Sequence, residues 1–198
     1  MQKPQIYKFE NVIPVIHETA FVHPQAVIIG DVIIGSGCYI GPFVSLRGDF
    51  GRIIVQQGVN IQDSCTLHAF PEKTTLVEID SHVGHGAILH GCHIKQGVLI
   101  GMNAVVMDGA VVHEEAFVGA CAFVKAGMQV PPRHLATGNP AEIVRELSQK
   151  EITGKASGTR TYQLLAQRCR RSLKPVTAKT EVEDNRPYIS WDKNPEQP

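Results

Sequence analysis

Aliphatic residues recur every six positions through the middle of this chain. Between residues 82 and 124 they stand at Ile88, Ile94, Ile100, Val106, Val112, Val118 and Val124. A small or slim residue precedes each of them by two positions. A strand has a period of two and a helix a period of 3.6, so a strict period of six needs another structure. It predicts a coil in which each six-residue unit forms one flat side of a triangular prism and the aliphatic side chain points inwards.

The same period begins earlier in the chain and is interrupted twice. It runs from Val22 to Leu46, slips at Arg47–Arg52, and resumes at Val55, Ile61 and Leu67. The second break, residues 69–81, carries Pro71 and two threonines, and is predicted to be a projecting loop with a short strand at residues 76–79. Loops that break a regular repeat are frequent sites of function.

The two ends of the chain lack this period. Residues 1–20 contain Pro4 and Pro14 and are expected to provide an opening strand that caps the coil. After Pro140 the spacing predicts a short helix from about Ala141 and then a second helix that carries Tyr162. The predicted organisation is therefore a coil domain at 1–138, helices packed on it at 139–174, and an extended or disordered tail at 175–198. Tyr188 and Trp191 in that tail favour docking on a neighbouring subunit.

The composition limits which classes of partner and which cellular location we expect. Lysine and arginine number 19, as do aspartate and glutamate, so no net field favours nucleic acid or an anionic membrane. No leader-like start or membrane-spanning apolar run is visible, and we expect a soluble, cytoplasmic protein. Five cysteines without a CxxC spacing are expected to be reduced. Those at positions 38, 65, 92 and 121 lie within the repeats and are expected to be buried packing residues.

Three of the nine histidines lie around the second break. His68 precedes it, and His85 and His90 follow it with four residues between them. Neutral imidazole is a common zinc ligand, and a catalytic zinc takes three protein ligands and one open position. The alternative is that these are solvated histidines on the outside of the coil. The other six histidines are assigned structural or surface roles by default: His17, His23, His82, His93, His113 and His134.

Polar residues at the first break give a second signal. Arg47 could pair with Asp49 or Asp63, which would fix the turn or a subunit contact. Asn60 and Gln62 alternate along a strand and so share a face, opposite to Ile61. Amides placed beside a ligand histidine could orient a water molecule or a substrate carbonyl.

These residues together resemble a known family. The phrases FVHPQAVIIGDVIIGSG, SLRGDFGRIIVQQGVNIQD, GHGAILHGC, GMNAVVMDGAVV and GTRTYQLLAQRCR carry the resemblance, which spans about residues 10–174. The pattern resembles hexapeptide-repeat proteins of the gamma-class carbonic anhydrase type, and most closely their phenylacetate-degradation and carnitine-operon branch. The resemblance implies an all-β solenoid, a left-handed parallel β-helix with C-terminal α-helices, that assembles as a homotrimer.

The family also implies a metal site at each subunit interface. By resemblance, His68 and His90 of one subunit and His85 of its neighbour would bind zinc, with iron or cobalt as alternatives. Arg47, Asp49 and Asp63 would form ion pairs near the interface. Asn60 and Gln62 would line the metal pocket, and Tyr162 would reach over it.

The resemblance leaves the reaction open among four hypotheses. The first is metal-dependent hydrolysis of CoA thioesters, because the phenylacetate branch is associated with that reaction. The second is reversible hydration of carbon dioxide, although the proton-shuttle glutamate of the archetypal enzyme lacks a clear counterpart and Glu72 is the nearest candidate. The third is a metal-free acyltransferase with a histidine as general base. The fourth is a non-catalytic assembly partner.

Overall fold

A computed structural model describes residues 4–191 of the chain as a parallel β-helix followed by one long α-helix. The strands of the first half are β1 (Gln5–Tyr7), β2 (Val15–Ile16), β3 (Phe21–Val22), β4 (Val27–Ile34), β5 (Tyr39–Ile40), β6 (Ser45–Val55), β7 (Asn60–Ile61), β8 (Thr66–His68), β9 (Thr74–Val77) and β10 (His82–Val83). Those of the second half are β11 (Ile88–His90), β12 (His93–Ile94), β13 (Leu99–Ile100), β14 (Val105–Val106), β15 (Val111–Val112), β16 (Phe117–Val118), β17 (Phe123–Val124), β18 (Gln129–Val130), β19 (His134–Thr137) and β20 (Glu142–Glu146). The helix, α1, spans Gln149–Ser172.

The six-residue period produces the interior of the coil. Ile100 pairs with Val118, which lies 18 positions further along, so that one turn of the coil contains three six-residue units. The aliphatic residues of successive turns stack as buried columns, and the slim residues beside them, such as Ala104 and Ala110, are also fully buried. The predicted fold, a left-handed parallel β-helix of about seven turns, is confirmed.

The coil has three faces, and two long strands connect two of them. β4 and β6 bend around a corner and join two faces into one 12-stranded sheet. We call the side formed by β8, β11, β14 and β17 the first face, and the side formed by β9, β12, β15 and β18 the second face. The third face is the separate eight-stranded sheet that contains β3, β5, β7 and β10. The short strand expected at residues 76–79, within the second break, is present as β9, which begins and ends two residues earlier.

One position of the predicted repeat is wrong. Ile88 is 42% exposed, whereas its neighbour Leu89 is fully buried and pairs with Leu67 on one side and Val106 on the other. The corner after β11 turns at Gly91, whose φ is 55°, and only five positions separate Leu89 from the next interior residue. Five positions instead of six therefore separate the two interior residues Leu89 and Ile94. A count of six backwards from Ile94 gives Ile88 and misses Leu89.

The chain after the coil also differs from the expectation. The short helix predicted from Ala141 is instead β20, which pairs antiparallel with β19. Ile143 and Val144 lie on this strand and are exposed, because β20 extends the edge of the third face instead of packing on the core. One helix follows rather than two. It begins at a capping box formed by Ser148 and Glu151 and continues through both of its glycines to Ser172.

Helix α1 packs on the third face of the coil. Its Ala166 is buried against Phe21 and Tyr39, which lie on β3 and β5. Tyr162, on the same side of the helix, stacks at an angle on Tyr39 with 5.4 Å between the ring centroids. The helix therefore covers the polar residues that β7 presents on that face.

Residues 175–191 contain no helix or strand. The segment returns towards the helix, where the guanidinium of Arg168 lies 4.4 Å from the ring centroid of Trp191 and donates to the Ser190 carbonyl. Tyr188 is 98% exposed, so its predicted docking on a neighbouring subunit stays a prediction. Among the described residues, no helix has the length and apolar character needed to cross a membrane.

The cysteines follow the prediction with one exception. Cys38, Cys65 and Cys92 are buried thiols inside the coil. Cys121 is exposed instead of buried, because it occupies a corner with a φ of 59° and its neighbour Ala122 takes the interior position.

We expect the three buried thiols to make the protein less stable as the pH rises above 9. Burial raises the pKa of Cys38, Cys65 and Cys92 from 9.0 to about 12. Between these values the unfolded chain loses thiol protons that the folded chain keeps, so each thiol lowers the free energy of unfolding by up to about 1.4 kcal/mol per pH unit. Urea denaturation at pH 8 and pH 10 measures the slope. Replacing all three residues with alanine should flatten it, and an unchanged slope would contradict this cause.

Candidate metal centre

Two of the three predicted ligand histidines meet on the surface of the coil. His68 and His90 are the last residues of β8 and β11, and the parallel register places them side by side on adjacent turns. The Nδ1 atom of His68 lies 3.1 Å from Nε2 of His90. Both rings are half-buried at the corner between the first and second faces, which we call the His68–His90 corner.

Each of these histidines also contacts a carboxylate. His68 Nε2 lies 3.1 Å from Asp49 Oδ1, and His90 Nδ1 lies 2.7 Å from Asp108 Oδ1. A carboxylate on one imidazole nitrogen fixes the ring and its tautomer, which leaves the other nitrogen free for a metal. The other nitrogens of the two rings are the pair that lie 3.1 Å apart, within hydrogen-bond distance of each other, and a metal ion would have to replace that contact. Asp108 was not predicted, although its position 18 residues after His90, one regular turn of the coil, was a usable signal.

The third histidine lies at another corner of the same chain. His85 follows β10, at the corner between the third and first faces, and its Nδ1 lies 2.8 Å from Asp63 Oδ2. We call this the Asp63–His85 corner. Here too a carboxylate contacts one ring nitrogen. Within residues 4–191, no group of three or more His, Cys, Asp or Glu side chains of one chain is arranged so that it could hold a metal ion.

Arg47 lies beside the His68–His90 corner. Its Nη2 is 3.1 Å from His68 Nε2, and its Nε is 3.8 Å from Asp49 Oδ2. Of the two predicted partners, Asp49 is therefore the one it meets within the chain, whereas Asp63 bonds His85. The arginine is half exposed, so it adds positive charge at the rim of the corner.

Asn60 and Gln62 share a face as predicted, but they do not lie beside His68 and His90. They project from the third face, where both are almost completely buried near α1. The terminal nitrogen of Gln62 is 3.0 Å from Asn60 Oδ1 and 2.6 Å from Nε2 of His82. His82 was assigned a structural or surface role by default, yet it is the imidazole that contacts these amides. Asp63 follows Gln62 directly, so this group adjoins the Asp63–His85 corner.

Tyr162 joins the same group from the helix. Its ring packs edge-to-face on His82, with 5.3 Å between the centroids. The structure thus places Tyr162 with the amides and the Asp63–His85 corner, and places His68 and His90 on the far side of the first face. Burial raises the pKa of Tyr162, so its hydroxyl stays protonated at neutral pH.

Two phenylalanines flank the His68–His90 corner and were not predicted. The ring of Phe50 lies 5.3 Å from that of His68, and the ring of Phe70 lies 4.9 Å from that of His90. Both are more than half exposed. They come from the two breaks in the repeat, where sequence reasoning predicted function but did not single out these side chains. The breaks therefore supply an apolar rim to the histidine pair.

Comparison with known proteins agrees with this architecture. The family model "Bacterial transferase hexapeptide (six repeats)" matches residues 13–48 and 91–126. The carnitine operon protein CaiE of a Proteus species is 53% identical over 184 residues, which cover 93% of each chain. CaiE of Escherichia coli K12 is 54% identical over 183 residues, 92% of this chain and 93% of its own.

A solved structure extends the comparison to three dimensions. A hexapeptide transferase family protein from Anaplasma phagocytophilum superposes with a TM-score of 0.80 at 32% identity, over 82% of this chain and 96% of its own. The predicted relationship to the carnitine-operon branch is confirmed by the close relatives. The chain belongs to the hexapeptide-repeat family that includes the carnitine operon proteins CaiE.

Proposed function

We propose that this protein is a metal-dependent hydrolase of CoA thioesters whose site is completed between two subunits of a homotrimer. His68 and His90 would come from one subunit and His85 from its neighbour. The supporting observation is that a carboxylate contacts one ring nitrogen of each histidine, and that the other nitrogens of His68 and His90 face each other at 3.1 Å. His93 also contacts a carboxylate, that of Glu78, so the meeting of His68 with His90 is what distinguishes this pair.

The donor set fits zinc, with iron or cobalt as alternatives. Three imidazoles are a common ligand set of catalytic zinc and leave one position open for water or substrate. Such an ion would supply Lewis acidity and lower the pKa of water to about 7. Asp49, Asp108 and Asp63 would hold the three imidazoles in the ligating tautomer, and Arg47 would offset the negative charge of Asp49 at the rim.

A second subunit is needed because the three histidines of one chain lie at two different corners. The two corners bound the first face, so His85 of one chain is separated from its own His68 and His90 by the width of that face. A head-to-tail contact that repeats around a three-fold axis would bring the Asp63–His85 corner of one copy to the His68–His90 corner of the next. Gln62 and Tyr162 would then arrive at the site with His85.

Phe50 and Phe70 favour an organic acyl substrate over carbon dioxide. Exposed aromatic rings beside the histidine pair provide apolar surface that an acyl group can bury. Hydration of carbon dioxide is the second candidate. Glu72 is the candidate proton carrier for it, because this exposed residue lies in the same projecting turn as Phe70.

Transfer of an acyl group is the competing use of a CoA thioester. The matching family model and the Anaplasma protein are both described as transferases. In that reaction one histidine would act as a general base, and metal would be dispensable. A non-catalytic assembly role would need neither metal nor thioester cleavage.

Two assays on one metal-quantified preparation separate these functions. We expect release of free thiol from aryl- and alkyl-CoA thioesters, a loss of this activity on chelation, and its return with zinc, while hydration of carbon dioxide stays slow. Fast hydration with inert thioesters would contradict the proposal. Thioester use that depends on an added acceptor and survives chelation would establish transfer instead. A His134→Ala variant is the matched control, because the His134 side chain bonds only the nearby Pro132 carbonyl among the described residues.

A further inference from the structure

The group formed by Asn60, Gln62, His82 and Tyr162, which we call the amide–imidazole cluster, contains one distance that assigns an amide orientation. The Gln62 terminal nitrogen and His82 Nε2 are 2.6 Å apart. Hydrogen bonds from N–H to oxygen have lengths of about 2.7–3.2 Å, and a nitrogen acceptor is larger than oxygen. A separation of 2.6 Å lies just below the range for oxygen and further below the range for nitrogen, so oxygen is the better fit of the two amide atoms. Because amide oxygen and nitrogen are assigned from their hydrogen bonds, the atom of Gln62 that faces His82 is its oxygen.

We infer that His82 is a positioning residue that holds the Gln62 side chain with its oxygen towards the imidazole and its NH2 group free to donate to a bound substrate. In this arrangement Nε2–H of His82 donates to Gln62 Oε1. Asn60, with its amide turned in the same way, donates to the same oxygen from 3.0 Å. The catalytic consequence of this orientation rests on the proposed hydrolase function, whereas the orientation itself does not.

The unpaired atoms of the cluster support this assignment. With the Gln62 nitrogen facing His82, Nε2 must accept, so the single proton of the neutral ring lies on Nδ1. Nδ1 of His82 and Nδ2 of Asn60 are both buried without a hydrogen-bond partner, so two donors would be unsatisfied. With both amides turned, the unpaired positions hold an imidazole lone pair and a carbonyl oxygen. Buried N–H groups without a partner are rarer than carbonyls without one, so the turned arrangement is favoured.

His82 is neutral at physiological pH, as this scheme needs. Its pKa is lowered to about 4, chiefly by burial and to a smaller extent by the positive charges of Lys155 and His85. A neutral imidazole carries one proton, and the contact with Gln62 places that proton on Nε2. The edge-to-face contact with Tyr162 holds the plane of the ring.

The free end of Gln62 then has a defined chemical role. It has no hydrogen-bond partner among the described residues, and it is not one of the completely buried unpaired atoms, so a small part of its surface stays accessible. An NH2 group donates to the acyl oxygen, where negative charge develops when a thioester is attacked. An amide oxygen at this place would instead accept from the attacking water. The cluster thus assigns Gln62 to the acyl oxygen.

The tautomer of His82 tests the orientation without any activity measurement. The full chain, labelled with ¹⁵N-histidine, is examined by NMR at pH 7, and the His82 signals are identified by their loss in His82→Phe and in His82→Gln. We expect the Nε2–H tautomer. An Nδ1–H tautomer would overturn the inference, whether or not the protein hydrolyses thioesters.

Three variants test the role in catalysis. Gln62→Glu keeps an acceptor but cannot donate at neutral pH, so we expect a kcat about 100-fold lower with KM nearly unchanged, as for loss of one oxyanion donor. His82→Phe should lower kcat in the same manner. His82→Gln, which restores a donor near Nε2, should recover most of it. Retention of kcat in Gln62→Glu would overturn the assignment, as would equal losses in His82→Phe and His82→Gln when both have the wild-type Tm.

Discussion

Mixing His85→Ala subunits with His90→Ala subunits is expected to restore about one quarter of the wild-type sites, although each variant alone has lost its site. A site shared head-to-tail needs an intact His68–His90 corner from one copy and an intact His85 from the next. At equal mixing each requirement is met half of the time. Each variant alone should lose metal and at least about 100-fold in activity, because even loss of a group that only orients a metal ligand costs 10–100-fold.

The measurement is metal content and thiol release on hetero-oligomers isolated through two different affinity tags. In these isolated hetero-trimers about one site in three should be intact, rather than one quarter, because the homotrimers, which have no intact site, have been removed. His85→Ala mixed with His134→Ala is the matched control and should retain half of the sites. In this mixture every subunit has an intact His68–His90 corner, so a site is lost only where the neighbouring subunit lacks His85. Recovery of no activity from the first mixture, with hetero-oligomers present, would show that the three histidines do not combine across subunits. Both single variants should stay folded and keep the Tm of the metal-free wild-type protein, because the core of the coil is aliphatic.

Leu89→Ala is expected to lower the free energy of unfolding by about 2–5 kcal/mol, whereas Ile88→Ala should change it by less than about 1 kcal/mol. Leu89 is completely buried in the column between Leu67 and Val106, and the packed interior cannot collapse around the lost atoms. Ile88 is the adjacent residue and has similar volume, but it points outwards.

Urea denaturation at matched subunit concentrations measures both effects. Dilution separates any contribution of subunit contacts made by Ile88, because such a contribution depends on concentration. A larger loss in Ile88→Ala that persists on dilution would mean that the uninterrupted six-residue count, and not the corner at Gly91, describes this turn.

The coil was predictable because each of its units repeats the same local rule. An aliphatic residue every sixth position and a slim residue between gave almost every interior residue, and the count failed only where Gly91 shortens a corner. The segment after Pro140 was harder. Ile143 and Val144 have an apolar pattern that suits a helix, but an unpaired strand edge was available to them, and pairing with β19 determined the outcome.

The candidate site was predictable in its residues more than in its arrangement. The family resemblance selected His68, His85 and His90 as candidate ligands, whereas their spacing alone left solvated histidines as an alternative. Their separation onto two corners depends on how many residues each turn contains. His82 was overlooked because its importance comes from burial beneath a helix that begins 67 positions later. Contacts between segments so distant in sequence have no local signal.

The two breaks in the repeat have a consequence for how this scaffold can diversify. The first lengthens a turn from 18 to 21 residues and the second gives a turn of 22, yet the interior pairs Leu46–Leu67 and Leu67–Leu89 stay in register. Insertions are absorbed entirely at a corner, because each turn contacts only its neighbours. The residues around the histidines, including Phe50 and Phe70, can therefore change in evolution by insertion as well as by substitution. The interior columns that stabilise the molecule do not have to change with them.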